Sequence, residues 1–383
     1  MTDRLYTVLF SLATTLLCAL SLGGRLFYLL SFVLLAMLLY GLVSVLVARQ
    51  MLVFSQGLSI TEADRGAEAT LTMTVQLRSL LPIAPLNVQM QTPAGDAGVM
   101  VDAGIMRERT MTFPFPLLHV GVFLVGAKKV LLTDVFGLFR IRRNVKGTLP
   151  EIVSLPRAFG VERLKFPEQD DGKALVNRAG EDVTSPEDTR SYRQGDSLKR
   201  IHWKLSQRAQ ELIVRRFEVP APPDTLILMD CNDPVGGDKQ PDGLMRLRDT
   251  LCETALSAAK MQMEDQNPIR VPLYGARLGE FQASHAGSLQ LLREELAYQL
   301  FRGGERFEKV LNVELRRMRR TGATVVITTR LDADVIKAVI NIRKSGPSVR
   351  FYLVTFTPDD PQSAPFISRL QHHLVEVCYV TPA

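Results

Sequence analysis

The run Thr225-Leu226-Ile227-Leu228-Met229-Asp230 decides the fold class of the C-terminal part of the chain. Apolar and β-branched residues without alternation read as a strand buried on both faces, and an acid closes it. Pro220, Pro222 and Pro223 break the chain just before, and strands alternate with helical patterns after it. Helices are expected over 244–263, 288–301, 332–344 and 362–371, with strands over 269–274, 323–328, 349–356 and 374–380. Leu244, Leu247, Leu251 and Ala255 recur at helical spacing and form a core stripe. This alternation predicts a doubly wound, mostly parallel α/β domain over 220–383.

Working outward to the N-terminus, Leu5 to Leu22 and Leu26 to Ala48 are charge-free apolar runs separated by Gly23-Gly24-Arg25. Each is close to the ~20 residues that cross a bilayer core as a helix, so 1–50 reads as a transmembrane helical hairpin. Arg4 and Arg49 flank the spans against a single Arg25 in the turn, which places both ends in the cytoplasm. A signal peptide is the rival for the first run, with Ala19-Leu20-Ser21 resembling a cleavage site; the second run would then stop transfer and leave the body inside. Between 51 and 150 short alternating stretches such as Ala69 to Leu77 predict a small antiparallel β-sandwich, with further strands over 86–91, 107–113, 121–126 and 129–133. Thr133-Asp134-Val135-Phe136-Gly137-Leu138-Phe139 reads as its closing turn, with both phenylalanines plugging the core.

Residues 151–219 read as a linker that carries the densest motif of the chain, 187–218. In it Gly195-Asp196 forms a turn and N-cap, and a helix of about three turns is expected from Ser197. Leu198, Ile201, His202 and Leu205 would share one face, leaving Lys199, Trp203 and Lys204 on another. Three readings follow: Arg190 and Arg193 lock the turn against Asp188 and Asp196; the basic and aromatic cluster docks a protein or anionic ligand; or His202 works as an acid/base with Asp188 or Asp196. The docking surface would comprise Arg190, Tyr192, Arg193, Gly195, Asp196, Arg200, His202, Trp203, Lys204 and Arg208. Catalysis finds no Ser or Cys elbow to support it.

Composition removes several classes. A net charge of +6 over 383 residues is too dilute to imply nucleic acid, and Asp188, Asp196, Glu211 and Glu218 within the motif would repel phosphates. Cys18, Cys231, Cys252 and Cys378 include no Cys-x-x-Cys pair, which excludes a disulfide scaffold and a cysteine-rich zinc module. No glycine-rich phosphate loop is present, so no nucleotide cofactor is expected. Arg316, Arg317, Arg319 and Arg320 read as a solvated helix end, and His372-His373 as surface.

The run Arg190-Ser191-Tyr192-Arg193-Gln194-Gly195-Asp196, then Arg200-Ile201-His202-Trp203-Lys204 and Ser206-Gln207-Arg208, resembles the signature of domain-of-unknown-function family 58. In that signature an Arg-x-Tyr-x-x-Gly-Asp turn precedes an Ile-(Asp or His)-Trp step. The hairpin, the close at 134–139 and the strand 211–218 are similar in order, although Val135 replaces the usual proline and Gln207 the usual alanine. The resemblance implies a membrane protein of the bacterial inner membrane with a von Willebrand factor A-like C-terminal domain. It also implies a MoxR-type AAA+ ATPase as partner, often with a transglutaminase-like membrane protein, and no known reaction. Domains of the von Willebrand type hold Mg²⁺ through Asp-x-Ser-x-Ser after the first strand; the matching residues here are Asp230-Cys231-Asn232-Asp233-Pro234. Asp230 and Asn232 are the candidate ligands, Asp332 a further carboxylate, and Pro234 offers none, so the loop is expected to be vestigial. The resulting expectation is a non-catalytic, membrane-tethered adaptor. The alternatives are an Mg²⁺-dependent receptor at Asp230 and a hydrolase using His202.

Overall fold

The structure is a computed structural model that describes residues 3–103, 108–145, 147–161, 188–193, 201–216, 223–236, 242–275, 278–299, 301–318, 321–358 and 360–382. The chain divides into two units, Met1–Leu155 and Pro156–Ala383.

The first unit opens with α1 (Asp3–Leu22) and α2 (Arg25–Met51). Gly23 reverses the chain between them at φ +63°, a left-handed conformation that a side chain makes costly. Both helices are long and apolar enough to cross a membrane. Their outer surfaces expose Phe10, Leu17, Leu20, Leu26 and Phe32, while Ser31 Oγ donates to Thr15 Oγ1 between them at 3.2 Å. The second apolar run is more than a span. Its last turns bury Ser44, Val45 and Ala48, and the two apolar side chains among them join the core of the sheets that follow.

Three sheets complete this unit. One holds β1 (Leu52–Leu58), β3 (Glu68–Leu77) and β6 (Arg109–Pro116) in the order β1-β3-β6. A second holds β4 (Leu86–Thr92), β5 (Gly95–Val101), β8 (Gly126–Thr133) and β9 (Arg140–Asn144) in the order β5-β4-β8-β9. Alternation on β3 turns Ala69, Leu71, Met73, Val75 and Leu77 inward, where they share one core with Leu86, Val88, Val130 and Leu132. Full burial of each such Leu or Val stabilises by about 1.5–3 kcal/mol. The third sheet, β2 (Glu62–Asp64), β7 (Gly121–Leu124) and β10 (Glu151–Leu155), departs from the all-antiparallel expectation because β10 pairs with β2 in parallel. Parallel pairing needs a long crossover, and here the strands from Glu68 to Asn144 lie between the two in the chain.

The 134–139 turn also corrects its expectation. Phe139 packs against the core, but Phe136 is 41% exposed and meets Tyr40 of α2 edge-on at 6.1 Å.

The second unit begins with a two-stranded antiparallel pair, β11 (Asp188–Ser191) and β12 (Ile213–Arg216), with the short helix α3 (Trp203–Ala209) between them. A six-stranded sheet follows, built from β13 (Asp224–Met229), β14 (Ile269–Tyr274), β15 (Leu278–Ala283), β16 (Thr321–Thr328), β17 (Ser348–Val354) and β18 (Glu376–Val380). Its order is β15-β14-β13-β16-β17-β18, with β14, β13, β16, β17 and β18 parallel in neighbouring pairs and β15 an antiparallel edge. Its helices are α4 (Gly243–Glu264), α5 (Leu289–Ala297), α6 (Phe307–Arg317), α7 (Ala333–Lys344) and α8 (Ala364–His372). Leu226 and Leu228 share a core with α6, α7 and α8 through Phe307, Leu311, Val335, Val339 and Leu370. The opposite face carries α4, which packs on β13, β16 and β17. The helix expected over 288–301 ends at Ala297, and Gly303 and Gly304 then lead into α6.

Arg317, expected at a solvated helix end, is exposed there and also joins a charge network around the buried Glu314. Its Nη2 meets Glu280 Oε2 at 2.6 Å, and its Nη1 meets the fully buried Glu314 at 2.7 Å. Arg270 Nη1 reaches the other Glu314 oxygen at 2.6 Å, and the Tyr274 hydroxyl donates to Glu314 Oε1 at 2.6 Å. These bonds fasten α6 to β14 and β15.

Candidate functional site

Two places in the second unit carry the residues singled out in the sequence. The first is the motif on β11, α3 and β12. Gly195, Asp196, Arg200 and Ser197 lie outside the described residues, as does the side chain of Arg190, whose backbone pairs with Val214. Among the described residues the helix begins at Trp203, six positions later than expected from Ser197. Ile201 is held in an antiparallel bridge with Val214, which keeps the chain extended there, and His202 is the N-cap. The shared apolar face of Ile201, His202 and Leu205 is therefore absent: Ile201 is buried, His202 half-buried and Leu205 40% exposed.

His202 is tied down at several points. Its backbone N–H donates to Ile213 O at 2.8 Å, and its Nδ1 accepts from Leu205 N at 3.3 Å. Ser206 Oγ donates to His202 O at 3.0 Å and accepts from Ile213 N at 2.9 Å. With Ser206 facing inward, about 100° per residue places Lys204 and Arg208 at the centre of the outward arc, flanked by Leu205 and Gln207, with Trp203 about 60° round from Ser206 in the first turn. Trp203, the only tryptophan of the chain, is 64% exposed. Tyr192 is half-buried, its N–H donating to Leu212 O at 2.7 Å, and Arg193 is exposed. The proposed acid/base partners of His202, the side chain of Asp188 and the whole of Asp196, lie outside the described residues. The His202 Nδ1 is occupied in capping its own helix.

The second place is the loop after β13. The chain leaves β13 for β14 on one side and returns to β16 on the other, so the strand order reverses between β13 and β16. Ligands bind open α/β sheets at the carboxyl ends of strands at such a point. Asp230 stands there, 1% exposed. Its Oδ1 accepts from Asn232 N at 3.1 Å and Asn232 Nδ2 at 2.9 Å, and its Oδ2 accepts from Thr328 Oγ1 at 2.8 Å. Arg330 Nε lies 3.2 Å from the same Oδ2 as an ion pair, while its Nη2 donates to Asp233 O at 2.6 Å. Burial raises the Asp230 pKa above the ordinary aspartate value, against the lowering pull of the Asn232 amide, Thr328 and Arg330. Burial also pushes the neighbouring Cys231 thiol up to about 12, which leaves it unreactive.

These donors do not fit the divalent cation that a von Willebrand-type loop would hold. Both Asp230 oxygens are engaged, Asn232 turns its amide N–H₂ toward the carboxylate, Pro234 brings no oxygen, and a guanidinium already supplies the positive charge. Among the described residues no group of three or more His, Cys, Asp or Glu side chains is placed to hold a metal. Beside the loop is a cleft of about 410 Å³ lined by Asn232, Gly303, Arg306, Arg330, Asp332 and Asp334. Gly303 packs closely there: a Cβ would stand 2.5 Å from Asn232 Oδ1 and 3.2 Å from Tyr274 O, so a side chain would displace Asn232. Asp332, considered above as a ligand, is the N-cap residue of α7 at the cleft wall.

Thr328, Arg330 and Gly303 were not legible as site residues. They lie far along the chain from Asp230, and only a threonine closing the neighbouring central strand hints at the contact.

A mixed α/β chain with two apolar N-terminal helices is the class that the fold defines. Residues 188–346 match the family model described as "Protein of unknown function DUF58", a span that runs from β11 through the motif and the Asp230 loop to the end of α7. No curated protein matches the chain. Among solved structures, Cwp6 from Clostridium difficile aligns at 7% identity and a TM-score of 0.20, over 86% of this chain and 53% of that one. The chain thus spans about half the length of that structure, and a likeness at this level carries no argument.

Proposed function

We propose that the chain is a membrane-tethered adaptor that holds protein partners and performs no reaction of its own. In this reading α1 and α2 cross the bacterial inner membrane with both chain ends in the cytoplasm. Support comes from their exposed apolar surfaces and from the placement of Arg4 and Arg49 against Arg25. The six-stranded layer is read as a von Willebrand factor A-like domain, supported by its parallel central strands, its helices on both faces and Asp230 at the strand-order reversal. By family resemblance the partner is a MoxR-type AAA+ ATPase, with a transglutaminase-like membrane protein as companion. A tether raises the local concentration of such partners without new contacts.

The observation that carries the docking role is Trp203: a side chain of this size is 64% exposed on a turn that His202 and Ser206 hold rigid. With Lys204 next to it in the chain and Arg208 on the outward face of the same helix, it offers an aromatic and basic contact. The cleft beside Asp230 is the second contact. The arrangement of His202 as a cap, and of Asp230 as a carboxylate already carrying a cation, favours this reading over a hydrolase or an Mg²⁺-dependent receptor.

The test is co-purification of the full chain with a MoxR-type ATPase from detergent. A Trp203→Ala, Lys204→Ala double variant should retain its thermal midpoint and lose capture by ~10-fold or more, the size of an aromatic hot spot. Capture at wild-type yield by the folded variant overturns the docking role, and turnover of a small molecule by the purified chain alone overturns the adaptor.

A further inference from the structure

The loop Asp134–Phe139 in the first unit is the feature that the adaptor reading leaves without a task. Asp134 is fully buried, and its Oδ1 accepts from Phe139 N at 2.6 Å, its Oδ2 from Phe136 N at 3.1 Å and its carbonyl from Gly137 N at 3.0 Å. The loop is thereby a rigid turn. It also sits directly on the helical hairpin: a Cβ on Gly41 of α2 would stand 3.0 Å from Asp134 Oδ2 and 3.3 Å from the Phe139 ring, tighter than an ordinary contact. Leu138, 2% exposed, closes a small cluster with Leu5 of α1 and Leu38 of α2. Yet the tip faces outward, with Val135 50% and Phe136 41% exposed.

The level of that tip is fixed by the helices. Leu5 is the first residue of the first apolar run, and Arg4 just before it lies beside Gly137, with Nη1 3.1 Å from where a Gly137 Cβ would be. From Arg4 to Leu22 the helix rises about 27 Å, close to the ~30 Å of a bilayer core. The loop therefore sits where hydrocarbon gives way to headgroups. Its neighbours there are Arg4, the Tyr40 ring and, just after it on β9, the exposed Arg140 and Arg142. Apolar side chains at the tip with arginines and an aromatic ring around them match the two-sided chemistry of that boundary.

We infer that the 134–139 loop is a membrane-inserting wedge: Val135 and Phe136 enter the acyl boundary of the leaflet in which α1 begins, while Arg4, Arg140 and Arg142 meet its phosphates. The occupant is phospholipid, continuous with the lipid around the hairpin. The inference rests on the membrane reading given above. It adds a third point of attachment that fixes the β-rich unit against the bilayer surface instead of leaving it to swing on two helices.

The full chain with Trp203→Phe and Phe136→Trp, reconstituted into phosphatidylcholine–phosphatidylglycerol vesicles, carries one tryptophan at the tip. Its emission should shift to the blue and be quenched by brominated phosphatidylcholine but not by aqueous iodide. Wild-type chain in vesicles holding a photoreactive lipid probe should be labelled at 135–136, a readout that needs no substitution in the loop. Iodide quenching without bromolipid quenching, together with unlabelled 135–136 in wild type, overturns the wedge while the chain still floats with the vesicles. Wild-type chain in which 135–136 are shielded from the lipid probe and cross-link to an added MoxR-type ATPase assigns the tip to a protein and also overturns it. Failure of the chain to float removes the membrane reading itself, and the wedge with it.

Discussion

Asp134 in the first unit and Asp230 in the second are both buried, at 0% and 1% exposure, yet their charges are accommodated by different means. Asp134 draws its two hydrogen bonds from backbone N–H groups two and five residues ahead, inside its own turn. Asp230 draws on Asn232 nearby, but also on Thr328 and Arg330 from across the sheet, about a hundred residues away in sequence. The first arrangement makes a loop rigid. The second binds the ends of β13 and β16 together, so the geometry of the cleft depends on a pair of charges that can be broken.

The largest effect is expected at Asp134. Asp134→Ala strands two N–H groups at about 1–3 kcal/mol each, so a loss of about 4 kcal/mol is expected. Asp134→Asn keeps one oxygen acceptor and should lose about half as much. Thermal midpoints of the detergent-purified full chain check the gradation. Equal losses for the two variants would mean that the backbone bonds do not carry the turn, and the contrast with Asp230 would fail.

At Asp230 the cation is the point to attack. Arg330→Met leaves a buried carboxylate without its counterion; with Arg330 itself 28% exposed, about 2 kcal/mol is expected, below the 3–5 kcal/mol of a fully buried pair. The sign with pH follows from the raised folded-state pKa of Asp230. An acid whose pKa is higher in the folded state contributes stability that is full below the unfolded value of ~3.9 and is lost as pH rises through the folded value. Removing Arg330 raises the folded value further, so the deficit of the variant should be near zero in acid and grow toward neutral pH. Midpoints measured from acid to neutral pH test this, and a deficit independent of pH would show that Asp230 is not ionised beside Arg330.

What was legible in the sequence follows the same division between local and remote. Five of the strands in the six-stranded sheet and the helices over 243–264 and 333–344 were readable because buried strands and amphipathic helices are local patterns. The apolar hairpin was readable by length alone. The edge strand β15, with exposed Leu278, Gly279 and Glu280, has no buried face to impose a pattern and was missed. The parallel pairing of β2 with β10 and the contacts of Asp230 were missed for a different reason: they are made by segments that only the fold brings together. The exposed position of Phe136 was hidden because an aromatic beside a glycine reads as core until the helices beside it are seen.

The smallest effect belongs to His202, and it extends the comparison to the motif. Like Asp134, His202 serves a backbone N–H in its own turn: Nδ1 accepts from Leu205, the third residue of α3. A helix N-cap of this kind is a task that aspartate performs well, and loss of a cap to alanine costs about 1 kcal/mol. An aspartate at this position would present an acceptor to the same amide as the histidine ring does. His202→Ala should therefore lower the thermal midpoint modestly, whereas His202→Asp should match wild type in both midpoint and ATPase capture. Were His202→Asp as damaging as His202→Ala, the ring would have a role beyond the cap, and the motif could no longer be grouped with the locally satisfied turn at Asp134.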